Sequence, residues 1–177
     1  MIASSTGGRA TPEGCAARVI TVSDRCASGE REDLSGPLAV RLLAEAGIAA
    51  GPAVVVPDGI EPVRAAITAA LDDGCRVVLT TGGTGIGPRD LTPEATEPLL
   101  AARLDGLAEA IRRRGEAAAP AAALSRGLVG ITSRGPGAAL VVNAPGSPGG
   151  VRDAVAVLAP LVGHVLDQLG GGDHPAR

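Results

Sequence analysis

A glycine-rich island and two acids carry the chemistry legible in this chain. Thr80-Thr81-Gly82-Gly83-Thr84-Gly85-Ile86-Gly87-Pro88-Arg89-Asp90 follows the apolar run Val77-Val78-Leu79, and Leu91-Thr92-Pro93-Glu94-Ala95-Thr96 then opens as a helix. Strand, glycine turn and helix start in that order are how an open α/β sheet presents backbone N–H groups to a phosphate. Gly82, Gly83 and Gly85 let the backbone approach an anion closely. Thr81 and Thr84 can donate hydroxyl hydrogen bonds. Asp58, after Pro57, and Asp90, after Arg89, each stand just beyond a strand end. A carboxylate there can hold Mg²⁺ directly or through water beside a substrate phosphate. Each acid also has a plainer use: Asp58 as the turn residue before Gly59, Asp90 as a cap or as the partner of Arg89. The island lacks the Gly-Lys-Ser/Thr of a P-loop and is out of register with the dinucleotide fingerprint. Taken alone, it is explained equally well as a tight strand-to-helix turn.

These residues need elements to position them. Ala17 to Val22, Ala53 to Val56 and Arg76 to Thr80 read as strands. A helix starting near Pro37 runs to about Ala46 with Gly47 as its stop, and another runs from Ile60 to about Asp72. Strand, helix, strand, helix, strand predicts a parallel sheet with helices on its faces. Ser23 to Asp33 reads as a polar loop. A helix from Thr92-Pro93-Glu94 through Leu99 and Leu100 follows the island, then a short helix from Leu107 to Arg114. Leu128 to Ser133 and Ala139 to Asn143 are candidate strands. Pro145-Gly146-Ser147-Pro148-Gly149-Gly150 is a second glycine loop, before a closing helix from Val151 to Leu169 that Pro160 bends or interrupts. The whole reads as one domain over 17–169, between a leader at 1–16 and a tail at 170–177.

Four loops therefore follow predicted strands: Ser23-Asp24-Arg25, Pro57-Asp58-Gly59, Thr81 to Asp90, and Ala144 to Gly150. In an open α/β sheet such loops converge outside the carboxyl edge, and the helix starts beside them add positive potential. A phosphate can then be held without a lysine patch. Ser125-Arg126 and Ser133-Arg134 are either phosphate contacts or surface charge, and Arg112-Arg113-Arg114 reads as a solvated helix end.

Composition narrows the function classes. The chain has 177 residues, 16 Lys+Arg against 19 Asp+Glu, and no Phe, Tyr or Trp. A net charge of -3 without a basic stripe argues against nucleic acid as a partner. The missing aromatics remove the stacking platform of single-strand binders, so any ring-shaped ligand must lie on aliphatic side chains, glycine faces or Arg. Mean hydropathy is +0.26, yet no unbroken apolar run reaches the ~18 residues of a membrane span, so no membrane partner is expected. Cys15, Cys26 and Cys75 show neither metal nor disulfide spacing, and no secretory signal is evident. A reduced, cytoplasmic protein is expected. His164 and His174 have no ligand partner at metal spacing.

The ordered set of motifs resembles one family, the molybdopterin-binding proteins of molybdenum cofactor biosynthesis, which includes molybdopterin adenylyltransferase. The matching pieces are Thr21-Val22-Ser23-Asp24-Arg25 with Gly29, Asp33 and Gly36; Val56-Pro57-Asp58; Leu79 to Gly85 with Arg89-Asp90 and Thr92 to Thr96; Leu124-Ser125-Arg126; and Asn143 to Pro148. The resemblance spans roughly Arg18 to Leu169. It implies a three-layer α/β/α fold with a mostly parallel central sheet, usually as a homotrimer. It implies binding of molybdopterin and, in the adenylyltransferase branch, reaction of Mg²⁺-ATP with the terminal phosphate of molybdopterin to release pyrophosphate. Asp58 and Asp90 match the acids tied to that reaction and to Mg²⁺. Ser23, Asp24, Thr81 to Gly85, Arg89, Ser125, Pro145, Gly146, Ser147 and Gly149 match the substrate and phosphate contacts. A molybdenum-insertion partner would receive the product. The alternatives are a non-catalytic molybdopterin carrier of the same pathway and a generic nucleotide-binding α/β domain.

Overall fold

A computed structural model describes residues 17–172. The expected leader, Cys15, His174 and the end of the expected tail lie outside the described residues. Six strands form one sheet in the order β2-β1-β3-β6-β5-β4. β1 (Ala17–Val22), β2 (Val54–Val56), β3 (Val77–Thr81) and β6 (Leu140–Ala144) are mutually parallel. β4 (Ala102–Arg103) and β5 (Val129–Ile131) complete one edge antiparallel. The three-layer α/β/α architecture with a mostly parallel sheet is as expected.

The central strands are mostly apolar because helices cover both faces, with Thr21, Thr80, Thr81 and Asn143 as buried polar residues toward their carboxyl ends. Side chains alternate along a strand, so neighbours divide between two cores. Val19, Val77, Leu79, Leu140 and Val142 face α2 (Ser35–Glu45), α5 (Asp105–Glu116) and α6 (Pro148–Leu169). Ile20, Val22, Val78 and Val141 face α3 (Ile60–Asp72) and α4 (Thr92–Thr96) through Val63, Ile67 and Ala95. Each fully buried Val, Leu or Ile is worth about 1.5–3 kcal/mol, which lets a core without aromatic rings hold the sheet. β2 is the other edge, with Val54 and Val55 partly exposed.

Several elements differ from expectation. A short helix α1 (Asp24–Ala27) forms inside the presumed loop after β1, capped by Ser23 Oγ, which accepts from the Cys26 N–H. α4 ends at Thr96 and continues only as a 3₁₀ turn over Glu97–Leu99. Pro98 has no N–H to donate and would clash with the preceding turn, so the α-helix stops. A second 3₁₀ turn spans Pro120–Leu124, and the two-residue β4 was too short to show a period in the sequence. α6 begins at Pro148 and runs through Pro160 without interruption. By length and average composition this helix would pass as a membrane span. Its stripe Val151, Ala154, Val155, Leu158, Val162, Leu166 and Leu169 is instead buried in the core.

Candidate functional site

The four parallel strands end at the same edge, and their following loops line one cavity of about 550 Å³. Ser23 and Asp24 come from the end of β1, Asp58 from the end of β2, Thr81 to Gly83 and Asp90 from the end of β3, and Gly146 and Ser147 from the end of β6. Nine of the residues singled out from sequence therefore meet in one place. A further group does not open there. Thr84, Gly85, Ser125, Pro145 and Gly149 line a second cavity of about 330 Å³, whose other walls include Ile111, Ala118, Ala119, Ala122 and Asp153. Ser147 borders both cavities. Arg89 lines neither and stands at the rim.

The wall between the cavities is made by the two glycine loops in contact. Gly82 has φ 109°, and a Cβ there would run into the carbonyl oxygen of Val22. A Cβ on Gly146 would lie 3.1 Å from Gly82 Cα. A side chain at Gly82 is excluded outright, and one at Gly146 would push the loops apart by a few tenths of an ångström. The Thr81 hydroxyl donates to the Pro145 carbonyl at 2.9 Å, Gly82 N donates to Ala144 O at 3.1 Å, and Ser35 Oγ donates to Gly146 O at 2.8 Å. The Thr81 hydroxyl thus ties the two loops together, and the Thr84 hydroxyl accepts from Ser125 Oγ at 3.3 Å in the second cavity. What the island offers an anion is its backbone: the N–H groups of Gly83, Thr84 and Gly85 meet no acceptor among the described residues. Consecutive open N–H groups of this kind make an anion-binding concavity.

The acids are held in specific poses. Asp24 N donates to Asp58 Oδ2 at 2.8 Å and Asp58 N donates to Asp24 Oδ1 at 3.0 Å. Arg89 grips the Asp24 carboxylate through Nε at 3.0 Å and Nη2 at 2.9 Å, and Nη2 also donates to Asp58 O at 3.0 Å. The Arg89 hydrogen bonds hold the Asp24 carboxyl below the ordinary aspartate range. Arg89 therefore turns to Asp24 and away from its sequence neighbour Asp90. Asp90 takes the capping role considered for it, Oδ2 accepting from Gly87 N at 2.8 Å, while still lining the cavity. Asp58 also braces α1, beyond the turn role read from Pro57-Asp58-Gly59.

Asp58 and Asp90 each bring a carboxylate to the cavity wall, hard oxygen donors of the kind Mg²⁺ takes in company with phosphates. Among the described residues no three of His, Cys, Asp and Glu form a ready-made cage. Two carboxylates fit a cation that arrives with a phosphorylated substrate better than a resident structural metal.

Two contributors were not read from the sequence as site residues. Asp33 accepts from Thr21 Oγ1 at 2.7 Å and, through Oδ1, from the N–H groups of Ser35 and Gly36, so it caps α2 at the cavity floor. An Asp just ahead of Ser-Gly-Pro was the available cap signal. Arg126, left open as a phosphate contact or surface charge, bonds to the glycine island from the side away from the first cavity.

The family described as "Probable molybdopterin binding domain" matches residues 18–164. A molybdenum cofactor biosynthesis bifunctional protein of Synechococcus elongatus is 42% identical over 161 residues, covering 91% of this chain and 49% of the relative. The chain thus spans about half the length of that relative. A molybdopterin adenylyltransferase of Pyrococcus furiosus is 39% identical over 149 residues, covering 84% of this chain and 87% of the relative. A crystal structure of a molybdopterin biosynthesis protein from Mycobacterium abscessus superposes with a TM-score of 0.80 at 46% identity, covering 87% of this chain and 95% of the other.

Proposed function

Because this chain belongs to the molybdopterin-binding family of molybdenum cofactor biosynthesis proteins, we propose that it is a molybdopterin adenylyltransferase. A terminal phosphate oxygen of molybdopterin attacks the α-phosphorus of ATP. A new P–O bond forms, the bond from the α-phosphorus to the bridging oxygen breaks, and pyrophosphate leaves with that electron pair. The observation that supports this reading best is the run of open N–H groups from Gly83, at the first cavity, to Thr84 and Gly85, at the second, beside Asp58 and Asp90 in the first.

The nucleophilic phosphate is already ionised near neutral pH, so neither acid needs to remove a proton. The difficulty is repulsion between two anionic groups. The backbone N–H groups of the island supply fixed partial positive charge to the phosphates, in a pose that costs no reorganisation during reaction. Mg²⁺, when bound with the nucleotide at Asp58 and Asp90, supplies the remaining charge neutralisation. Asp24, held by Arg89, keeps Asp58 in place through the paired backbone contacts. The second cavity, walled by Ile111 and alanines, offers aliphatic faces to the flat ring of a substrate, as a chain without aromatic residues must. Ser147, shared by the cavities, stands where the phosphates of two substrates would meet. Ser23, Ser125, Pro145, Gly146 and Gly149 complete the walls. The active form we propose is a cytoplasmic homotrimer that passes its product to a molybdenum-insertion partner.

One observation favours a second reading, a molybdopterin carrier without catalysis: both key carboxylates already accept a backbone hydrogen bond, as purely structural acids would. Incubation with molybdopterin and Mg²⁺-ATP separates the two. Adenylylated molybdopterin and pyrophosphate in equal amounts support the enzyme, and retained pterin without pyrophosphate supports the carrier. Nucleotide binding without any pterin affinity would refute both.

A further inference from the structure

We infer that Arg126 is the positioning residue of this site, a clamp that presses the glycine island and Asp90 into their working pose from behind the cavity. The side chain donates to three acceptors on one short stretch. Nε bonds Gly85 O at 2.8 Å, Nη2 bonds Asp90 O at 2.5 Å, and Nη1 bonds Glu94 Oε1 at 2.5 Å. The Arg126 backbone N–H adds a bond to Thr84 O at 2.8 Å. All four acceptors lie within residues 84–94, whereas the donor belongs to the segment that leads into β5.

The other ties from that stretch to the body are few. Ser125 Oγ donates to Thr84 Oγ1 at 3.3 Å, Arg64 Nη2 donates to Glu94 O at 3.4 Å, and Arg89 reaches Asp24 and Asp58, while Thr92 and Pro93 are anchored by burial at its far end. Most of its other bonds stay within it or return to Gly82 and Gly83: Gly87 N to Asp90 Oδ2, Asp90 N to Gly87 O, Thr92 N to Gly83 O, and Thr92 Oγ1 to Gly82 O. Arg89 reaches out to Asp24, but that ion pair is largely exposed, at 64% and 46% of the two side chains. Exposed pairs of this kind hold weakly. Arg126 is more enclosed and lines a third cavity, with Arg103 and Arg112, on the far side of α4 from the crevice. It lines neither of the first two cavities. A ligand in the crevice would therefore feel Arg126 only through the backbone it fixes.

Guanidinium geometry suits this task and an ammonium does not. One planar fork serves two carbonyls and a carboxylate at once, whereas Lys is a point charge with no such spread. Arg126→Lys keeps the charge opposite Glu94 and loses the double carbonyl grip. Glu94→Gln keeps the carbonyl grip and loses the ion pair.

The inference rests on the proposed reaction only in its kinetic arm, and hydrogen exchange tests it without activity. In Arg126→Lys, exchange of the Gly87, Asp90 and Thr92 amides should accelerate about tenfold, the scale of losing one charge-assisted hydrogen bond. Amides of β3 and β6 should keep their protection, which a general loss of stability would not allow. Affinity for Mg²⁺-pyrophosphate should fall by a similar factor, and Glu94→Gln should change either reading by less than about threefold. If wild type adenylylates molybdopterin, kcat of Arg126→Lys should fall more than KM for ATP rises. Unchanged exchange over residues 84–92 in both Arg126→Lys and Arg126→Gln would overturn the clamp, as would Glu94→Gln reproducing the full effect. An inactive wild type with the expected exchange pattern would refute the reaction and leave the clamp standing.

Discussion

Asp24 and Asp58 each accept the other's backbone N–H, at 3.0 and 2.8 Å, across a sequence separation of 34 residues. The pair closes the ends of β1 and β2 onto each other and fixes the start of α1. Asp58 thus serves fold and site at once. Asp58→Ala should lower stability by about 1 kcal/mol, the usual cost of a lost cap, and so lower Tm by about 2–4 °C for a domain of this size. Asp58→Asn keeps an acceptor oxygen and should lose less stability, while both variants lose turnover. Calorimetry alongside the adenylylation assay checks the split, and equal stability losses in the two variants would contradict it.

Asp90 offers a cleaner separation of charge from structure. In Asp90→Asn the side-chain oxygen can still accept from Gly87 N, so the turn survives without the negative charge. Turnover at saturating Mg²⁺ should fall about a hundredfold while molybdopterin affinity stays within about threefold. Equilibrium pterin binding measured beside single-turnover kinetics gives both numbers, and unchanged adenylylation would remove Asp90 from the chemistry.

Gly82 is the hinge on which the two glycine loops cross. Gly82→Ala places a methyl against the Val22 carbonyl at a backbone angle Ala avoids. Overpacking and positive φ together should cost about 1–3 kcal/mol. Urea unfolding should show that loss, and wild-type stability in the variant would mean that the crossing relaxes easily.

Asn143 holds the buried polar knot beneath the site. Its Nδ2 donates to Thr80 Oγ1 and Thr96 Oγ1, both at 3.0 Å, and its Oδ1 accepts from Leu128 N at 3.1 Å. Asn143→Ala leaves a buried N–H without a partner and should cost about 2–3 kcal/mol, seen as a Tm drop of about 5–10 °C. Asn143→Asp should be no better, since a buried carboxylate has no N–H to offer the two threonines.

Glu94 has its carboxyl held below the ordinary value of 4.5, chiefly by the hydrogen bond from Arg126. A depressed folded-state value means the stabilisation is complete above 4.5 and is lost as pH falls through the lower folded value. The Tm difference between wild type and Glu94→Gln should therefore stay constant from pH 8 to about pH 5 and close at more acidic pH. A difference that instead grows below pH 4.5 would have the wrong sign for this pair.

Local pattern made much of the molecule readable. Val77-Val78-Leu79 ahead of glycines, and Pro37 and Pro93 near helix starts, fixed strand and helix types because each depends on neighbours only a few residues away. The failures were local too: Pro98 shortens α4, and the two residues of β4 are too few to show a period. Asp33 carried a local cap signal ahead of Ser35 and Gly36, but Arg126 went unread as a site residue for another reason. The Arg126 partners Gly85 and Asp90 are distant in sequence, and no spacing rule links a side chain to a carbonyl 36 or 41 positions away.

What the residues alone determined was the class of the chain: an α/β sheet, a glycine island able to meet an anion, and acids at strand ends. The tertiary structure decided which groups share a cavity, that Arg89 grips Asp24 in place of Asp90, that the Thr81 hydroxyl is turned to Pro145, and that the expected contacts divide between two cavities across one glycine wall. Backbone propensity acts over a few residues and is written into them. Which hydrogen bonds remain open to a ligand depends on every competing partner, and only the assembled sheet brings those partners within reach.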